Sequence, residues 1–381
     1  ETGMNKVNQK DNKNYTGLLN KSLKIFFSTA WHITLRRPSQ AYFFFRTVQW
    51  QKKASKVRRK FGEQGISVPP IIIYSITDRC NLHCKGCYAQ SLHTSTQPEM
   101  DAGKMRETVR EARELGVSFT VLAGGEPLIR REILDIIGDF PDVIFFVFTN
   151  GTLIDEELAD RIKQRRNLVP IISLEGNRAE TDLRRGSGVF RSLSDVIGRL
   201  RKRNVFFGTS ITLTSLNFNT VTDRRFIRDM HHLGCRLFFL VEYTPIDPST
   251  EAWEITGEQR ENLPNMVASF RSQFPALFIS VPDDEKDFGG CLSAGRGFVH
   301  ISAQGDVEPC PFAPYSDTNL RESSLKEALQ SGFLAAVREN SDQLEEGKSG
   351  CALWTHREWL SALLASQNHS APDALEVLAK S

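Results

Sequence analysis

Thr77-Asp78-Arg79-Cys80-Asn81-Leu82-His83-Cys84-Lys85-Gly86-Cys87-Tyr88 directly follows Ile71-Ile72-Ile73-Tyr74-Ser75-Ile76. The second of these stretches is an apolar, β-branched run that reads as a buried strand. The first therefore reads as a loop at the strand's C-terminal end, where α/β folds place their chemistry. A cuboidal iron–sulfur cluster normally takes four thiolates, so three within eight residues can hold one and leave an iron open. Zinc completed by His83, a disulfide with one cysteine left over, and plain packing are the other readings the triplet alone allows.

Downstream, strand and helix alternate. Val117–Ala123, Val143–Phe148, Val169–Leu174, Val205–Leu213 and Arg236–Val241 read as further strands. Helical patterns lie between them, the first capped by Asp101 and ended by Gly116, another capped by Asp155. Six units in this order predict parallel strands with right-handed crossovers, two short of a closed eight-stranded barrel. The second strand runs into Gly124-Gly125-Glu126-Pro127, where paired glycines let a backbone approach a ligand closely. Polar residues at strand C-termini are candidate contacts for a bound molecule: Asn150, Ser173, Glu175 and Thr212, with Arg185 in the Arg-Arg-Gly turn. For each, a helix cap or loop hydrogen bond is the plainer alternative.

The spacing C-x3-C-x2-C, followed by Gly-Gly-Glu-Pro, resembles the radical S-adenosylmethionine (SAM) superfamily over residues 68–245. The resemblance implies a partial (β/α)6 barrel in which Cys80, Cys84 and Cys87 hold a [4Fe–4S] cluster. SAM would bind its open iron and be cleaved by one electron to methionine and a 5′-deoxyadenosyl radical, which abstracts hydrogen from a substrate. It further implies SAM contacts from Gly124, Gly125 and Glu126, and an electron donor such as ferredoxin or flavodoxin. Many members carry an aromatic residue just before the third cysteine. Here Gly86 stands there and Tyr88 just after, so adenine contacts fall to these two.

A second cysteine region follows. Cys291 and Cys310 flank Gly305 with thirteen and four residues between, which resembles the opening of the SPASM/Twitch extension of radical SAM enzymes. Only Cys351 follows, so the resemblance is to the shorter, Twitch-like form. It implies an auxiliary [4Fe–4S] cluster on Cys291, Cys310 and Cys351, with the fourth ligand from Cys235, a non-cysteine side chain or substrate. Phe298–Ser302 and Val307–Glu308 read as a hairpin around Gln304-Gly305-Asp306.

The 381-residue chain carries a net charge of +2, and its 40% hydrophobic and 25% charged residues are ordinary for a globular protein. That balance hides an asymmetry, because residues 18–60 hold eleven Lys and Arg, eight aromatics and no acid. The division read from this is a disordered tail over 1–17, a basic and aromatic helical segment over 18–66, the barrel over 67–245, and the auxiliary-cluster extension with C-terminal helices over 246–381. The second segment suits peripheral attachment to an anionic membrane or packing on the barrel, and suits nucleic acid less well. Seven unevenly spaced cysteines favour metal ligation in a reducing compartment over disulfides. No signal peptide or membrane-spanning run is read. The expectation is a cytoplasmic enzyme, at the inner face of the membrane if the basic segment attaches there. Gly86 before Cys87, with Ala-Gly-Gly-Glu-Pro-Leu, also resembles the branch acting on hopanoid lipids. That points to a lipid or other apolar substrate, with peptide modification as the alternative and a non-enzymatic iron–sulfur or zinc protein as the other class.

Overall fold

The computed structural model describes residues 38–93, 95–288, 290–341, 344 and 351–368. The expected tail over 1–17, residues 18–37 of the basic segment and residues 369–381 lie outside the described residues.

The six expected strands form, in chain order, as β1 (Ile71–Ser75), β2 (Phe119–Ala123), β3 (Ile144–Thr149), β4 (Leu168–Ser173), β5 (Phe207–Leu213) and β6 (Cys235–Glu242). Each pairs in parallel with the next. Three more strands extend this sheet: β7 (Leu277–Val281) pairs parallel to β6, and β8 (Phe298–Ile301) parallel to β1. β9 (Val307–Glu308) returns antiparallel to β8 through the expected hairpin, with Gly305 at φ 102° in its turn. The order is β7-β6-β5-β4-β3-β2-β1-β8-β9, so the six strands read as the barrel wall are joined in one open sheet by β7 and by the β8–β9 hairpin. Of these three, β7 was not read, because it follows Pro245, where strand–helix alternation loosens; the β8–β9 hairpin was read, but not its pairing with β1.

The strands bury both faces. Residues such as Ile72, Leu122, Phe145 and Ile172 join the apolar faces of the surrounding helices in one large cluster. The alternate residues Phe119, Ile144, Phe146, Val169, Ile171, Leu237 and Leu277 form a second cluster drawn from strands alone, which is the barrel interior. The helix Ala102–Leu115 shows how the outer layer forms. Asp101 accepts from Lys104 N at 2.8 Å, Gly116 ends the helix at φ 93°, and Met105, Val109, Ala112 and Leu115 are buried. Each such buried side chain contributes about 1.5–3 kcal/mol for the larger types.

The helix Pro38–Glu63 packs on the floor side of the barrel, against Gly116 and Ser118 at the N-terminal end of β2. Arg58 donates through Nη1 to the Gly116 carbonyl, which ends the helix before β2, and to Ser118 Oγ at 3.3 Å. Burial pushes this guanidinium down to about 10. Two stretches resolve differently from expectation. Arg185 ends a helix, Arg178–Arg185, that was read as a turn, and the crossover from β5 to β6 carries a short helix, Phe218–Val221, ahead of the helix Arg224–His232. Among the described residues, no helix is long and apolar enough to cross a membrane.

Candidate functional site

The cysteine loop is pinned from two sides. Gly125 N donates to Thr77 O at 2.7 Å, and Glu126 N to Arg79 O at 2.8 Å. A β-carbon on Gly124 or on Gly125 would lie 2.2 Å from the carbonyl oxygen of Thr77 or Arg79 respectively. The close approach these glycines allow is thus to the cysteine loop itself. On the other side, Lys85 N donates to Arg184 O at 2.9 Å. Glu126 points inward. Its carboxylate accepts from Leu128 N, Thr149 Oγ1 and Asn150 N at 3.0, 2.7 and 2.7 Å, tying the end of β2 to the end of β3. Burial pushes the Glu126 carboxyl up, and these hydrogen bonds pull it back.

The three thiols are free and partly buried. Cys80 Sγ lies 3.5 Å from Leu82 N and 3.8 Å from Asn150 Nδ2; Cys84 Sγ lies 3.9 Å from Arg185 Nη1. Burial raises Cys80 and Cys84, while Arg185 and Arg184 lower Cys84. N–H donors aimed at sulfur favour thiolates over thiols. Among the described residues, the group whose ligand atoms all lie within 4.8 Å of one another is His93, His300 and Glu308, not this triplet. His83, the ligand that would complete a tetrahedral zinc site on this loop, is exposed. The residues present therefore fit a [4Fe–4S] cluster held by Cys80, Cys84 and Cys87.

Gly86 adopts φ 62°, a left-handed conformation that a side chain would strain. Tyr243, beyond β6, packs directly against it and hydrogen-bonds Thr250 Oγ1 at 2.6 Å. Tyr88 packs instead on Phe312, with ring centroids 4.7 Å apart, and burial raises its phenol. This aromatic ring therefore serves the contact between the two cysteine regions.

Along the mouth of the barrel, Glu175 is buried and accepts from Arg184 Nη1 at 2.6 Å and from Arg185 Nε at 2.9 Å. Thr212 N donates to the other oxygen at 3.2 Å, and Thr212 Oγ1 accepts from Arg184 at 3.0 Å. Burial opposes ionisation of Glu175, but the two guanidiniums outweigh it and hold the carboxyl below its ordinary value. Four of the expected residues thus share one locality: Asn150 against Cys80, Arg185 against Cys84, and Glu175 and Thr212 joined through Arg184. Ser173 is the last residue of β4, on the same strand face as Val169 and Ile171 and half-buried. Sequence reasoning missed Arg184. Its signal was position: it precedes Arg185 on a helix end that was read as a turn. Its guanidinium also lies 5.9 Å from the Tyr243 ring centroid.

The second cysteine region meets the first. His93, after the short helix Tyr88–Leu92, contacts the Pro311 carbonyl through Nε2 at 3.0 Å. Behind it, His300 Nδ1 lies 2.6 Å from Glu308 and Nε2 lies 2.8 Å from Ser75 Oγ. Burial pushes His300 down and Glu308 up, so it favours the neutral form of each. Burial raises Cys291 to about 12 and Cys351 to about 11, and Cys310 stands well above its ordinary value. Cys351 and Cys291 are among the charges that push Cys310 up, so the three sulfurs share one locality. Three free thiols gathered in one locality, with Cys310 buried, suit a metal cluster. Cys235 does not join them. It lies at the first rung of β6 opposite Phe207, at the far end of the strand from Glu242, with its thiol donating to Leu237 O at 3.3 Å. That removes it as a fourth ligand.

A family model for the radical SAM superfamily matches residues 74–233. The chain is 26% identical over 336 residues to an AdoMet-dependent heme synthase of Methanosarcina barkeri, covering 81% of this chain and 95% of that protein. It is 25% identical over 264 residues to the mycofactocin maturase MftC of Mycobacterium tuberculosis, covering 66% of each. Among solved structures, Streptococcus suis SuiB aligns with a TM-score of 0.60 at 16% identity, over 76% of this chain and 71% of that one. Native anSMEcpe with bound AdoMet aligns at 0.59 and 15% identity, over 78% and 99%. These two likenesses bear on the fold, which they share. With a pre-heme d1 synthase of Dinoroseobacter shibae the identity reaches 30% over 320 residues, covering 74% of this chain and 79% of that protein. At that extent the likeness is one of descent, and the chain belongs to the radical SAM superfamily, as an enzyme with a SPASM/Twitch-type C-terminal extension.

Proposed function

We propose that this enzyme abstracts hydrogen from a flat, largely apolar substrate of tetrapyrrole type, and that Cys291, Cys310 and Cys351 hold an auxiliary [4Fe–4S] cluster. The observation that carries the substrate reading is the barrel interior. Ile71, Val121, Phe148, Phe239 and Ile279 lie against the strand-only cluster and remain half-buried, leaving apolar surface inside the wall below the cysteine loop. Buried pockets lined mainly by apolar residues with a few fixed polar groups suit such ligands. The polar groups here are Ser173, Thr212, Arg184 and Arg185. The names of the relatives, heme synthase and pre-heme d1 synthase, favour a tetrapyrrole over the lipid first expected.

When bound, the cluster with SAM on its open iron supplies the hydrogen-abstracting radical, with the electron arriving from a donor of ferredoxin or flavodoxin type. The chain orients and shields that chemistry. Gly124 and Gly125 hold the loop against β2, Asn150 and Arg185 aim N–H groups at Cys80 and Cys84, and Tyr243 closes over Gly86. The walls keep water from the radical.

The test is anaerobic turnover with SAM and dithionite in the presence of a carboxylated iron-porphyrin, a hopanoid dispersion or an unstructured peptide. The porphyrin should raise 5′-deoxyadenosine formation and, when deuterated, pass deuterium into it. Stimulation by the lipid or the peptide alone would overturn the tetrapyrrole reading.

A further inference from the structure

The helix Pro38–Glu63 presents two different faces. Thr47, Gln51 and Arg58 are buried on the barrel floor. Arg46, Lys52, Lys53, Lys56, Arg59 and Lys60 are exposed. At the helical repeat these six fall in one arc opposite the buried three. From Pro38 to Gly62 the sequence contains no carboxylate, and the acid at the helix end, Glu63, meets Arg59 at 3.8 Å. Lys53 lies 4.8 Å from the Trp50 ring centroid. A surface helix kept only for solubility mixes signs, whereas a one-sign stripe projects a field outward. Favourable interaction with the helix dipole accounts only for cations in the last turn.

We propose that this stripe seats the barrel floor on an anionic lipid bilayer. Charge complementarity points to a negatively charged surface. The sequence before the stripe selects a bilayer among such surfaces, because residues 18–45 add four cations and seven aromatics, a composition suited to the headgroup region. The geometry also sets an orientation. Gly116 and Ser118, which the helix grips, precede β2, whereas the cysteine loop follows β1, at the opposite end of the wall. Docking by the floor leaves the mouth facing solution, so substrate enters from the aqueous side. This inference stands apart from the identity of the substrate.

The experiment is sedimentation of the reconstituted full chain with vesicles of phosphatidylcholine alone or with about one third phosphatidylglycerol. Binding should require the anionic lipid and weaken steeply with salt, because screening lengths fall from about 8 Å at 0.15 M to about 3 Å at 1 M. The variant Lys52→Glu/Lys56→Glu/Lys60→Glu should lose at least about ten-fold in partitioning while keeping its melting temperature and SAM cleavage. A Lys→Gln version at the same positions, which adds no repulsion, should lose less but in the same direction. Wild-type binding by both variants, equal binding to neutral vesicles, or preference for duplex DNA over the anionic vesicles would each overturn the proposal.

Discussion

The Tyr243 hydroxyl fills the space that a side chain on Gly86 would need: a β-carbon there would lie 2.2 Å from Tyr243 Oη. A residue beyond the sixth strand thereby dictates which amino acid can stand beside the third cysteine of the loop.

Gly86→Ala should therefore disturb cluster loading directly. Positive φ alone costs about 1–3 kcal/mol for a non-glycine residue, and the collision with Tyr243 adds to it. Iron content should fall and 5′-deoxyadenosine formation drop at least about ten-fold, with partial recovery in Gly86→Ala/Tyr243→Ala. Full iron and activity in the single variant would contradict this account of the loop.

Glu175 gives the protein an acid-side dependence. Its carboxyl in the fold lies below the ordinary 4.5, because Arg184 and Arg185 outweigh burial. A lowered carboxyl stabilises fully above its unfolded value and loses that contribution as pH falls through the lower folded value. Urea unfolding free energies of wild type and Glu175→Gln should differ by about 3–5 kcal/mol near neutrality, since the change leaves two largely buried guanidiniums uncompensated. The gap should narrow below about pH 4.5. A gap constant across that range would remove charge as its cause.

Glu126→Gln should loosen the end of β2 from that of β3. The amide turns an NH2 group toward N–H or O–H donors at Leu128, Thr149 or Asn150, and mispaired buried groups of this kind cost about 1–3 kcal/mol. The measurement is thermal unfolding of the metal-free protein, where cluster loss does not intrude. An unchanged melting temperature would mean the carboxylate does not serve as the tie described here.

The two cysteine sets should separate in iron stoichiometry. Anaerobic wild-type protein should hold about eight irons, and the Cys80→Ala and Cys291→Ala variants about four each. SAM cleavage should vanish in the first variant and persist in part in the second. Four irons in the wild type would leave the second trio without a cubane.

Much of this was legible in one dimension. The parallel order of β1–β6 followed from strand–helix alternation, and the cluster loop from three cysteines on the end of a β-branched run, because these patterns reflect local geometry and periodicity. Asn150, Glu175 and Thr212 were placed on the rim by the same logic, since strand C-termini in a parallel sheet converge there, whereas Arg185 was picked from the Arg-Arg-Gly sequence that ends a helix. Strand β7 and the docking of the β8–β9 hairpin on β1 were harder to see. A segment as short as Leu277–Val281 has too few residues for a firm period, and which strand a hairpin adds to is settled only by pairing with neighbours already in place.

What the sequence determined by itself was the cysteine loop, its supporting strands and the kind of chemistry such a loop can host. The tertiary structure alone decided the partners of each side chain. It turned Glu126 inward as a tie, brought Arg184 between Glu175 and Thr212, set Tyr88 on Phe312, and left Cys235 at the wrong end of its strand. The reason is physical. Chain spacing governs which residues can be near one another locally, whereas burial and hydrogen bonding between distant segments govern which way each side chain finally points.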